Sequence, residues 1–291
     1  MKMRRLTLSA FLVVACAAMT FAQGTYTQID YPGATGTIAG NVDTAGDIVG
    51  VWTDSSYSYH GFLLSNGLYT SIDYPGATNT FTSGINDNGQ IVGYSLPTEV
   101  GFIYDVAAKS FTDLSDPDAS GTLASSINNA GVISGTIFTA SGTQVFALAG
   151  STYQSVVPPK PFQGGSGFWV GGVTASGAII VAGESTTSPT YLAYKYAQGS
   201  YTQIPLPTKE AFTLFGVNPQ GNVYVGAYPV STFVTAGFVD HGNSFTALQF
   251  PGSEDTNAEG INSSGEVVGT FTAGSFQHGF TWTPPAAGEK K

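Results

Sequence analysis

Six times along this chain a short apolar strand pattern runs into an Asn- and Gly-rich turn and out into another apolar strand, at a nearly constant period. The glycines that open the second strand are Gly46, Gly89, Gly131, Gly177, Gly221 and Gly265, at intervals of 43, 42, 46, 44 and 44 residues. A β-rich unit of this length cannot bury both faces of its small sheet alone and must stack on its neighbours. The expected fold is all-β, a six-bladed β-propeller of four-stranded blades.

The clearest copy runs from Leu68 to Ser110. Tyr69-Thr70-Ser71-Ile72-Asp73 alternates as a half-buried strand does and stops at Tyr74-Pro75-Gly76-Ala77-Thr78. Phe81-Thr82-Ser83-Gly84-Ile85 then enters the turn Asn86-Asp87-Asn88-Gly89, whose residues accept positive φ cheaply. Gln90-Ile91-Val92-Gly93-Tyr94 and Gly101-Phe102-Ile103-Tyr104 supply the third and fourth strands. The copies at Gly177 and Gly221 run two residues and one residue long, and the surplus is expected to appear there as bulges or a slipped register.

The copies carry His60-Gly61-Phe62 and His278-Gly279-Phe280, with Val100, Gln144 and Ala236 replacing the histidine elsewhere. In these tripeptides the chain resembles the extracellular bacterial proteins built of HAF repeats, named for a His-Ala-Phe tripeptide. The resemblance covers residues 24 to 283. It implies an exported β-propeller-like repeat protein and carries no shared activity with it.

If Phe81 to Ile85 lines the central channel, Tyr69 to Asp73 is the outer edge of the preceding blade. On that phase Tyr26 to Asp30 completes the last blade, with residues 257 to 283 supplying the other three strands, and the two ends of the chain close the ring. Closure removes exposed sheet edges.

The chain opens with Lys2, Arg4 and Arg5, an apolar run from Leu6 to Met19 and small residues up to Ala22. This reads as a secretory signal peptide, residues 1–22, followed by one propeller domain, 23–283, and a disordered tail, 284–291. A lipobox-like Val13-Val14-Ala15-Cys16 leaves open lipidation at Cys16 instead. No stretch is long and apolar enough to predict a transmembrane span. Without residues 1–22 the chain keeps six lysines against nineteen carboxylates, a formal net charge of −13, with no arginine and no cysteine. Such a chain repels nucleic acid, cannot form arginine forks and has no thiolate or disulfide chemistry.

The Asn or Asp of five turns (Asp43, Asn86, Asn128, Asn218, Asn262), with Thr174 in the fourth copy, reads as a cap for turn amides, since calcium would need several converging carboxylates. His60, His241 and His278 read as packed or hydrogen-bonded side chains, so no metal and no cofactor is expected. The loops that enter the inner strands offer the ligand candidates: Asp30-Tyr31-Pro32-Gly33-Ala34-Thr35, Asp73-Tyr74-Pro75-Gly76-Ala77-Thr78, and a third led by Phe250. An exposed ring beside a carboxylate suits a pyranose, with the ring on its apolar face and the carboxylate on its hydroxyls. The competing reading is a tight Tyr-Pro-Gly turn with its ring packed over the blade edge. Trp52 and Asp54 are placed on the same face.

No pair of carboxylates and no Ser-His-Asp context stands out, so no catalytic residue is assigned. The expected function is a secreted, monomeric binding or surface-interaction module for polysaccharide or glycoprotein. The alternatives are a carbohydrate-active hydrolase or lyase on the same ring and a purely structural extracellular protein.

Overall fold

The computed structural model describes residues 24–163, 167–186, 191–206, 212–232, 234–242 and 244–286. The expected leader 1–22 with Cys16, residues 207–211 of the fifth copy's loop and the last five residues of the tail lie outside the described residues. Among the described residues twenty-four strands form six antiparallel sheets of four. Blade 1 comprises Gly36–Val42, Ile48–Thr53, Tyr59–Ser65 and Leu68–Ile72, in that order from the channel outward. The other inner strands are Asn79–Ile85, Ala119–Ile127, Phe168–Val173, Thr213–Val217 and Asp255–Ile261.

Blade 6 is built from both ends of the chain. Thr25–Ile29 pairs antiparallel with Phe276–Thr283, from Thr25 opposite Thr283 to Ile29 opposite Gly279. The phase read from the sequence therefore holds, and the ring is closed by its N-terminal strand. Tyr26 fastens the joint: its ring meets Phe250 edge-on at 5.7 Å, and its hydroxyl accepts the Gln249 amide at 3.2 Å.

The repeated tripeptide and the repeated Gly-Gly spacing have one physical cause. The tripeptide phenylalanines Phe62, Phe102, Phe146, Phe238 and Phe280 are fully buried, and each lies directly opposite a glycine of the second strand: Gly50, Gly93, Gly135, Gly226 and Gly269. A side chain at Gly50 would overlap the Ile38 carbonyl and meet the Phe62 ring at 2.9 Å. The ring thus fills the space the glycine leaves, which buries an aromatic side chain and fixes the strand register together. Blade 4 replaces this pair with Val181 opposite Tyr194.

The surplus of the fourth copy produces no bulge at Gly177, whereas the second strand of the fifth copy carries a register shift between Pro229 and Ser231. Ile179–Glu184 pairs with Tyr191–Ala197 in unbroken register. In addition every blade carries a bulge on its inner strand, between Ala39 and Asn41, Thr82 and Gly84, Ala124 and Ser126, Val170 and Gly172, Leu214 and Gly216, and Ala258 and Gly260. Inner strands crowd at the axis, and a bulge bends them while releasing one residue from the ladder.

The Asn/Gly turns close between first and second strands. In Asn86–Gly89 only Gly89 takes positive φ, at 72°. Asn86 Oδ1 accepts the amides of Asn88 and Gln90 at 3.1 and 3.0 Å, the capping role read from the sequence. Its amide nitrogen also donates across the blade boundary to the Asn128 carbonyl at 3.1 Å.

Candidate functional site

The loops entering the inner strands share one face with the loops between second and third strands. Thr35 Oγ1 donates to the Asp54 carbonyl at 2.9 Å, which joins the two loops of blade 1. Tyr31-Pro32-Gly33-Ala34 is a tight turn with Gly33 at φ 81° and the Ala34 amide on the Tyr31 carbonyl. The Tyr31, Tyr74 and Phe250 amides each donate to a buried threonine six residues on, Thr37, Thr80 and Thr256.

These anchors turn the three rings inward. Tyr31 stacks on Trp52 with centroids 4.3 Å apart and planes 4° apart. Phe250 stacks on Phe271 at 3.7 Å, and Tyr74 lies over Phe102 at 5.7 Å with its hydroxyl donating to Asp113 at 2.8 Å. Burial, then the bond to Asp113, holds the Tyr74 hydroxyl above its ordinary pKa. The loop rings offered by the sequence as stacking surfaces are thus half-buried against their own blades. Their partners Trp52 and Phe271 end the second strands, where rings from the loop above have a flat surface to meet.

In blade 1 the structure brings together three expected residues around His60, namely Trp52, Asp54 and Asp73. His60 stacks on Trp52 at 4.3 Å, and its Nδ1 lies 2.7 Å from Asp73 Oδ1. The Trp52 indole donates to Ser71 Oγ, which donates to Asp73 at 2.9 Å. Asp54 Oδ2 is 3.5 Å from His60 Nε2. The Ser58 amide, with Ser56 and His60 assisting, holds the Asp54 carboxyl below its usual range. Blade 6 repeats the arrangement with Phe250, Phe271 and His278, whose Nδ1 sits 3.0 Å from Asp30. Asp30 therefore belongs with Phe250 at the ring's closing seam, and Tyr74 stands apart in blade 2.

The rings that do face solvent are others. Phe276, the first residue of the third strand of blade 6, is 57% exposed, and Tyr57, in the loop between the second and third strands of blade 1, is 80% exposed, both on this face. Phe276, Gln277 and His278 wall a groove of about 240 Å³ whose other wall is Asp30 to Thr37. The sequence signal for them was a lone aromatic among Ser and Gly residues, Ser56-Tyr57-Ser58 and Ser275-Phe276, outside any apolar alternation.

Among the described residues no group of three or more His, Cys, Asp or Glu side chains converges to hold a metal, and no helix is long and apolar enough to cross a membrane.

No protein-family model matches the sequence, and no curated protein does. Solved structures with a similar fold include TolB from Acinetobacter baumannii, with a TM-score of 0.56 at 11% identity over 87% of this chain and 68% of that one. A putative gluconolactonase aligns with a TM-score of 0.54 at 12% identity over 90% and 93% of the two chains. A gluconolactonase from Xanthomonas campestris aligns with a TM-score of 0.50 at 13% identity over 90% and 97%. At these identities the likeness is one of fold.

Proposed function

We propose that this chain is a secreted, non-enzymatic binding module of the HAF-repeat kind, and that the seam between blades 6 and 1 holds extracellular polysaccharide. One observation carries the reading: an exposed aromatic ring, Phe276, stands on a groove that also presents Asp30 and His278. A ring for the apolar face of a sugar and a carboxylate for its hydroxyls are the two elements such recognition needs. Tyr57 extends the aromatic surface over blade 1, beside Asp54 and His60.

The alternative of a hydrolase or lyase draws less support. Two carboxyls facing each other across a cleft are required, whereas among the residues lining this groove Asp30 is the one carboxylate. The likeness to TolB and to gluconolactonases brings neither a partner nor an activity to this chain.

Affinity electrophoresis through gels containing soluble polysaccharides tests the reading. Retardation by at least one polysaccharide is expected, and its loss in Phe276→Ala with unchanged melting would place the site. No retardation in any gel would overturn it and leave a structural role.

A further inference from the structure

The six bulges release one residue per blade, and all six residues line the same cavity: Gly40, Ser83, Ser125, Gly171, Phe215 and Glu259. This channel cavity measures about 410 Å³. A residue in a bulge has left the ladder, so its side chain is re-aimed, here toward the axis. Glu259 is the one carboxylate in the lining. It makes no hydrogen bond or ion pair with the described residues, and no Lys, Arg or His lines the cavity. Glu259 is half-buried and bares its carboxylate to the channel lumen with no cation of the protein beside it, so a cation entering the lumen meets an unpaired counter-charge.

The rest of the wall suits a cation. Trp169 spends its indole N–H on the Leu214 carbonyl at 2.7 Å, which leaves its ring for face contact. Phe215 lies 6.3 Å from Trp169, and Phe81 stacks with Tyr94 at 4.9 Å across the lumen's other side. At the turn side the lumen narrows to about 70 Å³, where Asp43 and Asp87 stand among the lining residues. That narrow end shares Asn41, Ser126, Val217 and Ile261 with the wide one. Carboxylates at the mouth of a low-dielectric channel concentrate cations there.

We propose that the central channel is a second site, which binds a small organic ammonium ion with Glu259 as its counter-charge and the Trp169, Phe215 and Phe81 rings as its walls. Cations over aromatic faces are held most strongly where water is excluded. Burial pushes the Glu259 carboxyl up to about 7. The other titratable group in the lining, Tyr94, is raised by burial and stays neutral, and Asp43 and Asp87 face the narrow end. Occupancy therefore rises with pH as Glu259 ionises.

Calorimetric titration with choline, and with 3,3-dimethylbutanol as its uncharged counterpart, tests this on the whole propeller. Saturable choline binding is expected at about pH 8.5, weaker by at least about tenfold at about pH 5.5, where few Glu259 side chains are ionised. The alcohol is expected not to bind. Glu259→Gln should lose choline binding while melting at or above the parent temperature, and Phe215→Ala should weaken it with the charge kept. No saturable choline binding at the higher pH, or equal binding by Glu259→Gln, overturns the proposal; so does binding of calcium with none of choline.

Discussion

The side-chain amide of Asn262 donates to the main-chain carbonyl of Asp43 at 2.9 Å, across 219 positions of sequence and across the seam where the ring closes. The same bond joins Asn86 to the Asn128 carbonyl and Asn128 to the Thr174 carbonyl. The turn asparagine thus does two jobs, Oδ1 capping its own turn and Nδ2 tying it to the next blade.

This separation is testable at Asn128. Asn128→Asp keeps the cap and removes the donor, and it is expected to lower stability by about 1–2 kcal/mol in urea denaturation. Blade 1 offers the converse. Asp43 cannot donate, and burial foremost raises its carboxyl above the usual range. Asp43→Asn removes that penalty and supplies an amide where Asn86, Asn128 and Asn262 reach the next turn, so a higher melting temperature is expected; a lower one would contradict the role.

Gly50 has no room for a methyl group between the Ile38 carbonyl and the Phe62 ring. Gly50→Ala is expected to destabilise the propeller by about 3 kcal/mol or more, the range of severe core overpacking. A urea midpoint equal to the parent would refute the pairing of glycine and ring as the blade's organising contact.

Removing residues 24–31 takes the outer strand from blade 6 and uncovers the edge of Phe276–Thr283, with Phe280 and Trp282 behind it. Loss of a single cooperative transition is expected, seen as divergence of fluorescence and circular dichroism curves. Coincident curves at the parental midpoint would mean that the ring does not depend on its closing strand.

Glu259 makes stability depend on pH in a defined direction. Its carboxyl ionises at about 7 in the folded protein against 4.5 for an ordinary glutamate. Between those values the unfolded chain gives up its proton first, so this group's contribution is full below about pH 4.5 and is lost as pH rises through about 7. The loss is at most on the order of 3.5 kcal/mol at ~1.4 kcal/mol per pH unit, less whatever water in the channel screens. Glu259→Gln should flatten this part of the stability profile and leave the parent's slope elsewhere; an unchanged slope would place the carboxyl in contact with solvent.

The period, the blade phase and the closing strand were legible because they are written in backbone-directing residues: Gly89 and its five counterparts at positive φ, the turn asparagines, and the alternation of Tyr69 to Asp73. The loop rings were placed on the right face, and of the two readings of them the tight turn with its ring packed over the blade is the one the structure takes. Tyr31 finds Trp52 on the second strand of its own blade, and nothing local to Tyr31-Pro32-Gly33 announces that partner. The inner-strand bulges were missed because extra length in a copy was read as the mark of a bulge. Their true mark is a break in alternation, where Gly84 and Ile85 are buried in succession after Thr80 and Thr82. Glu259, in the run Ala258-Glu259-Gly260-Ile261, becomes a channel residue only through that break.

The seam between blades 6 and 1 is tested most directly by the binding of one polysaccharide, found by gel retardation, to the propeller and to its Phe276→Ala and Tyr57→Ala forms. The account predicts saturable binding by the parent, weakened by about 1–3 kcal/mol when the Phe276 ring is removed, with melting temperatures unchanged. Equal affinity in all three proteins would contradict it.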